Sequence, residues 1–336
     1  ILDSPKFVNK IVYNPDGAYI VSLSSESTIQ FWDFLNRKLL TEVTDVGIVD
    51  FAISDTGDKL GWVTNFGIVH IYDIESRQEV DQYNLGVEQL DRYVGLSFSS
   101  DLSIFAAAIP YTSSYKVWNI KEHKLVFEFS GHSGQVNSIA ISPDKKIIAT
   151  ASEDHNVILW DISTLQRVQQ YYFADWIRTL QFGPDGKKLA IGLSNGTVEI
   201  LDLTRGNQNT GQIQNYKDLS EIEISSDNNT IAVIDSTNKV FLWDINTQNS
   251  FGEINTNYDF PVALSISPDT NYLAVGGNNG IVIWKINPSY WLNRACEIAG
   301  RNFTHDEWTK YFPDEKYRET CPQWHLESAI TPTLMP

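Results

Sequence analysis

The run "TASEDHNVILWD" ends on Trp160 and Asp161, and its closing residues recur through most of the chain. Aligned on that closing run, the aromatic or aliphatic anchors fall at positions 32, 72, 118, 160, 201, 243 and 284. The intervals are 40, 46, 42, 41, 42 and 41 residues, so one unit is written seven times. No other feature restricts the fold as much. A repeat of this length is one supersecondary unit that buries its apolar face only by stacking on its neighbours.

A second landmark precedes each anchor at nearly constant distance. It reads "NPDG" at Asn14, "SDTG" at Ser54, "SSDL" at Ser99, "SPDK" at Ser142, "GPDG" at Gly183, "SSDN" at Ser225 and "SPDT" at Ser267. Ser, Pro, Asp and Gly in this order favour a tight turn, because Pro presets φ and Asp or Gly tolerates the reversal. Short strand-like runs such as "VNSIAI", "IIATA" and "KLVFEF" flank the turn and the anchor. Four strands in about 40 residues are the signature of a β-propeller blade. The expected fold is all-β, a seven-bladed propeller of four-stranded blades with a short helical C-terminal tail.

The units resemble WD repeats: Trp32, Trp160 and Trp243 are followed by Asp, and every unit carries an SPD-like turn. The resemblance covers residues 1–286. It implies a hydrogen-bonded structural tetrad in blade four of His132, Thr150, Asp154 and Trp160. The Gly-His pair usual in the family occurs once, as Gly131-His132, so the other six blades are expected to rely mostly on apolar packing. The Trp anchors are expected to be buried between blades. The outer strand of a blade lies about eight residues before the next inner strand, and that offset places "ILD" at residues 1–3 as the outer strand of blade seven. Closing the ring in this way removes exposed strand edges. A start at Ile1 suggests a domain continuous with something longer.

The net charge of -17, from 42 acidic and 25 basic side chains, opposes nucleic acid and anionic lipid. No run of 18 apolar residues spans a membrane. With only two cysteines, the cytoplasm is the expected compartment, and there a disulfide is the less expected state.

After Lys285 the spacing becomes helical, with Trp291, Ala295, Ile298 and Ala299 on one face. Thr304 and Glu307 read as a capping box opening "HDEWTKYF", which Pro313 ends. Residues 287–336 are expected to pack on the propeller. Cys296 and Cys321 read as buried thiols or a disulfide, with a zinc site including His305 and His325 as the alternative. The motif "AC…RNFT…EW…YRETCP" resembles the tail behind WD repeats in bacterial, cyanobacterial-type multidomain proteins carrying a STAND NTPase or a caspase-like peptidase. That resemblance implies a sensor or docking domain with the chemistry in an upstream effector domain.

The sequence shows no Gly-x-Ser-x-Gly elbow, His-Glu-x-x-His or phosphate-binding loop, and "GGNNG" at Gly276–Gly280 sits where other units place a strand-to-strand turn. No catalytic residue, metal or cofactor is assigned. WD-repeat rims bind partners at positions that read here as Phe7, Asn9, Arg92, Asn137, Trp176, Arg178 and Phe260, joined by Tyr111. Trp and Arg are enriched at interface hot spots. The expected function is a non-catalytic sensor domain that docks a protein or peptide, as the recognition part of a bacterial signalling or defence protein. The alternative is a propeller hydrolase or lyase with a central polar or metal site, for which the rim supplies only Glu153 and Asp218 as acids and no His.

Overall fold

The computed structural model describes residues 2, 7–87, 89–90, 95–204, 208–213, 217, 219–256, 262–278, 280–313 and 315–321. The chain divides into two compact units, Ile1–Trp284 and Lys285–Pro336.

The first unit is a ring of seven antiparallel sheets, each built from strands consecutive in sequence. Blade one shows the pattern. β1 (Val8–Tyr13) lies innermost, followed by β2 (Ile20–Ser24), β3 (Thr28–Asp33) and β4 (Lys38–Thr44). The β2 side chains are all buried, whereas β4 is largely exposed. The remaining first strands are β5 (Ile48–Ile53), β9 (Leu96–Phe98), β13 (Val136–Ile141), β17 (Ile177–Phe182), β21 (Leu219–Ile224) and β25 (Ala263–Ile266). Each packs against the first strand of the next blade, and β25 returns to β1, which closes the cycle. The seventh sheet completes itself at Leu2. Its N–H donates to Ile281 O at 2.8 Å and its C=O accepts from Ile281 N at 3.1 Å.

The SPD-like turns set the blade geometry. In all seven, the fourth residue donates its N–H to the carbonyl of the first, from Gly17 to Asn14 through Thr270 to Ser267. That fourth residue has positive φ in every blade, and Gly fills it in three, where the left-handed backbone carries no Cβ penalty. Where the first residue is Ser, its hydroxyl accepts the N–H five residues on, as Ser142 does from Ile147 at 2.9 Å.

Apolar clusters fill the spaces between blades, for example Tyr115, Phe129 and Trp160 packed with Val136 and Ile139. Trp32, Trp118 and Trp160 are buried, while Trp243 and Trp284 are half-buried, so burial of the anchors is incomplete in blades six and seven. Packing is also not the only tie in the blades without Gly-His. Trp32 Nε1 donates to Ser22 Oγ at 2.9 Å, and Trp118 Nε1 to the Leu85 carbonyl at 3.2 Å. Blade two builds a polar cluster from different positions. His70 stacks on Trp62, and both reach Asp45, at 3.2 Å from His70 Nε2 and 2.9 Å from Trp62 Nε1.

The second unit contains α1 (Pro288–Ala299) and α2 (His305–Tyr311). Asn287 caps α1 and Gly300, at φ 66°, ends it. Thr304 and Glu307 form the capping box of α2 with both reciprocal bonds present. The helix expected from the spacing of Trp291, Ala295, Ile298 and Ala299 forms, but the face they share is not a buried one. Ile298 is 76% exposed, and the one buried residue of the helix is Cys296. Cys296 is tied to Cys321 in a disulfide, so a fixed covalent partner rather than an apolar stripe orients the helix. Asn302 braces that link by exchanging two hydrogen bonds with the Cys321 backbone, at 2.7 and 3.2 Å. Trp308 is the buried centre, with Phe303, Phe312 and Tyr317 packed around it.

Candidate functional site: rim and channel

One end of the ring is formed by the loops entering the first strands and the turns joining second to third strands. These two sets of loops are bonded to each other. Ser25 N donates to Phe7 O, Asn65 N to Gly47 O, Glu153 N to Gln135 O, Ser194 N to Trp176 O and Ser236 N to Lys217 O, all between 2.7 and 3.0 Å. The rim is therefore a braced surface.

Trp176 shows what that bracing does. Its carbonyl is held by Ser194 N, and its own N–H donates to Asp175 Oδ1 at 2.8 Å. Asp175 in turn accepts from Ser194 Oγ. That hydroxyl, followed by the Trp176 N–H, holds the Asp175 carboxyl below its ordinary range. The backbone is clamped on both sides, yet the indole stays 50% exposed. Arg178 is exposed two residues further on, and Asn137 of the preceding blade donates to the Ile177 carbonyl at 3.2 Å. These three sequence-predicted residues therefore sit together between blades four and five.

Tyr111 stands on blade three and is 93% exposed. It has φ 60° as the third residue of a turn that Thr112 N closes on the Ile109 carbonyl, whereas in blades one, two, four, five and six the left-handed residue is the fourth of the turn, Ser27, Gly67, His155, Gly196 and Asn238. A bulky residue gains nothing locally from the left-handed region, so its presence there needs a reason outside the turn. An open cleft of about 360 Å³ lies beside it, lined by Val87, Ile109, Pro110 and Lys116 among others. Phe66 and Val46, exposed on the loops of blade two, extend the apolar surface and were missed because the expected contact positions do not include them. Phe7 and Asn9 are half-buried on blade one. Arg92 and Phe260 lie outside the described residues.

The tetrad residues meet in blade four. Trp160 Nε1 donates to Thr150 Oγ1 at 3.1 Å, Thr150 Oγ1 lies 2.9 Å from His132 Nε2, and His132 Nδ1 lies 3.0 Å from Asp154 Oδ2. Burial holds the His132 imidazole below its usual value, against the pull of Asp154. Burial works to raise the Asp154 carboxyl, but the Ser133 N–H, His132 and Asn156 together bring it below the ordinary range. A neutral His132 donating to an ionised Asp154 leaves Nε2 as the acceptor for the Thr150 hydroxyl. Every polar group in the chain of contacts is then satisfied.

The channel holds acids that a search of rim positions alone overlooks. Asp50 on β5 accepts from Lys10 Nζ of β1 at 2.6 Å, and β21 (Leu219–Ile224) carries Glu221 and Glu223 two residues apart on one face of the strand. Glu221 accepts from Leu264 N at 3.0 Å and Glu223 from Gln181 Nε2 at 2.7 Å. Among the described residues no three His, Cys, Asp or Glu side chains converge as metal ligands. In the tail, the zinc alternative does not stand: both thiols are spent in the disulfide, and His305 stacks on Tyr317. His325 lies outside the described residues.

Comparison with known proteins agrees with this architecture. The family profile for the WD domain, G-beta repeat, matches residues 2–33, 123–161 and 253–285. The chain is 30% identical over 250 residues to human apoptotic protease-activating factor 1, covering 70% of this chain and 19% of that protein. It is 23% identical over 203 residues to periodic tryptophan protein 2 of Arabidopsis thaliana, covering 59% of this chain and 22% of that protein. It is 29% identical over 102 residues to eukaryotic translation initiation factor 3 subunit I of Neosartorya fischeri, covering 29% of this chain and 30% of that protein. The chain thus spans less than a third of the length of these relatives. It carries WD40 repeats folded as a seven-bladed propeller.

Proposed function

We propose that this WD-repeat propeller is a non-catalytic docking module whose rim, centred on Trp176, Arg178 and Asn137 and extended by Tyr111, binds a protein or peptide. Trp176 carries the reading. A half-exposed indole on a backbone held at both its N–H and its C=O loses little conformational freedom on binding, and that is the property of an interface anchor. The acidic net charge disfavours nucleic acid and anionic membrane as partners. No helix among the described residues is long and apolar enough to cross a membrane.

The wider context is a larger signalling or defence protein of bacterial type, in which the propeller senses and an upstream domain acts. The tail motif supports this, as does similarity to a relative whose name describes activation of a protease and whose matched part is a fifth of its length. Another similar protein is by name a subunit of a translation initiation factor, a component working beside others. The Cys296–Cys321 disulfide weighs against the cytoplasm expected from the small number of cysteines.

Placing a photo-crosslinking amino acid at 176 or 111 in the native cell tests the docking surface, with exposed Leu35, on the turn between third and fourth strands, as control. The expected result is a discrete crosslinked protein from the two rim positions and none from position 35. Equal yields from all three sites would remove the rim as the binding surface.

A further inference from the structure

His70 stands in a setting unlike that of the tetrad histidine. It is buried on β7 (Ile68–Asp73), with its ring stacked on Trp62 of β6 (Lys59–Thr64) at 4.9 Å and 8°. Its Nδ1 lies 2.9 Å from Glu79 Oε2 on β8 (Gln78–Asn84), and its Nε2 lies 3.2 Å from Asp45 Oδ2 on the loop that enters blade two. His132 by contrast faces one carboxylate and one hydroxyl, which a neutral ring satisfies.

A neutral imidazole has one N–H and one lone pair, whereas an ionised carboxylate only accepts. Either neutral tautomer of His70 therefore turns a lone pair on a carboxylate oxygen. A proton on Asp45 does not relieve this, because its Oδ1 and Oδ2 already accept from Val46 N at 2.7 Å and from Trp62 Nε1 at 2.9 Å. The imidazolium presents a proton to both acids, and the π face of Trp62 also attracts a cation.

We propose that His70 is a pH-sensitive latch on the rim: as an imidazolium it ties the loop at residues 45–47 to the outer strand of blade two, and it releases that loop when it gives up a proton as pH rises. Histidine changes its charge between about pH 5 and 8, so the latch is closed at the acid end of that range. The loop carries exposed Val46, and its Gly47 carbonyl holds Asn65 N at 2.7 Å, next to exposed Phe66. Release therefore alters the blade-two part of the rim. That this changes docking rests on the rim reading above, whereas the latch itself does not.

The elements packed around the ring supply no competing cation. Among the described residues no Lys or Arg is paired with Asp45 or Glu79, so His70 is the cation both share. On β6, Lys59 lies at the far end, opposite Asp73. On β8, Gln82 stands opposite His70, and Asp81 is 2.8 Å from His123 Nε2. On β4, Lys38 lies opposite Asp33 and Glu42 is bonded to Gln30, while on β5 Asp50 is bonded to Lys10. The blade-one turn whose Ser27 carbonyl accepts from Asp45 N carries Glu26, which is exposed.

The test is nuclear magnetic resonance of the whole chain from about pH 5 to about 9, beside H70Q and the surface control H123Q. Glutamine suits the site, since Gln30 holds the matching place in blade one, buried and donating to Glu42 Oε2 at 3.3 Å. Long-range proton–nitrogen spectra of the native chain should show protons on both His70 ring nitrogens at the acid end and on one at the alkaline end. Over that interval exchange at the Trp62 indole N–H and the Asn65 amide, corrected for its intrinsic pH dependence, should quicken about tenfold in the native chain and in H123Q. In H70Q it should stay level. A single ring proton on His70 at the acid end, or two still present at the alkaline end, would overturn the latch. So would parallel exchange profiles in all three proteins. If H70Q does not fold, the ring spectra of the native chain decide alone. None of these readouts needs a partner, so their failure is separable from failure of the rim reading, which the crosslinks at 176 and 111 test.

Discussion

Leu2 and Ile281 exchange both backbone hydrogen bonds across almost the whole length of the first unit, and the Leu2 side chain is buried in the cluster that holds Val8, Trp32 and Ile281. The pair joins the two ends of the ring. It adds a strand-level closure to the packing of β25 on β1 and to the Tyr13 N–H bond to Ser265 Oγ, and a ring of blades gains cooperativity from each such closing contact.

Leu2→Ala is therefore expected to cost about 2–4 kcal/mol in chemical denaturation, the usual loss for emptying a buried leucine site. Exchange at the Ile281 amide should rise more than exchange in β14 (Ile147–Ser152), which lies on the far side of the ring. Equal loosening everywhere would show that the closure has no special role.

Thr150→Val keeps the shape of the side chain and removes the hydroxyl that joins Trp160 to His132. Two buried polar groups then lose their partner, at about 1–3 kcal/mol. Ser22→Ala in blade one leaves only the Trp32 N–H unpaired and should cost less. Urea midpoints of the two variants decide the order.

Reduction of the Cys296–Cys321 link should open the tail unit. Among the described residues its buried centre is little more than Trp308 and three rings, a small apolar core for which a covalent staple carries much of the stability. Removing a disulfide of this loop length costs about 2–4 kcal/mol. Exchange at the Cys321 amide, now bonded to Asn302, should become fast in Cys321→Ser while blade-centre amides stay protected. A tail that stays protected when reduced would show that packing alone suffices.

Acid should weaken the bond between blades three and four. Burial favours the neutral form of the Asp101 carboxyl, but Lys145, Ser103 and Ser99 outweigh it and hold the group well below the ordinary carboxylate range. A depressed folded-state value means a contribution present above about 3.8 and lost as pH falls below it. Asp101→Asn should thus be less stable than the native chain at pH 6 and nearly equal to it in strong acid. Thermal midpoints at the two pH values measure this, and a gap that persists in acid would count against it.

The period near 40 residues, the SPD-like turn and the closing anchor are local signals, repeated seven times, and they were enough to read out the propeller, its blade order and the offset that puts Leu2 in blade seven. The capping box at Thr304 was equally legible, since both of its partners lie within four residues. Local patterns carry this far because strand alternation and turn chemistry depend on near neighbours. Tertiary structure decided the rest. Ring closure brings Glu221 against Leu264 and Gln181 against Glu223, pairs more than 40 residues apart, and no single repeat records which blade will face which acid. The His70, Asp45 and Trp62 cluster uses the residue types of the blade-four tetrad at other positions, so a search by spacing passes over it. The exposure of Trp176 and Tyr111 beside the burial of so many other aromatic side chains depends on the same closure, because only the assembled ring determines which rings find a partner and which are left facing water.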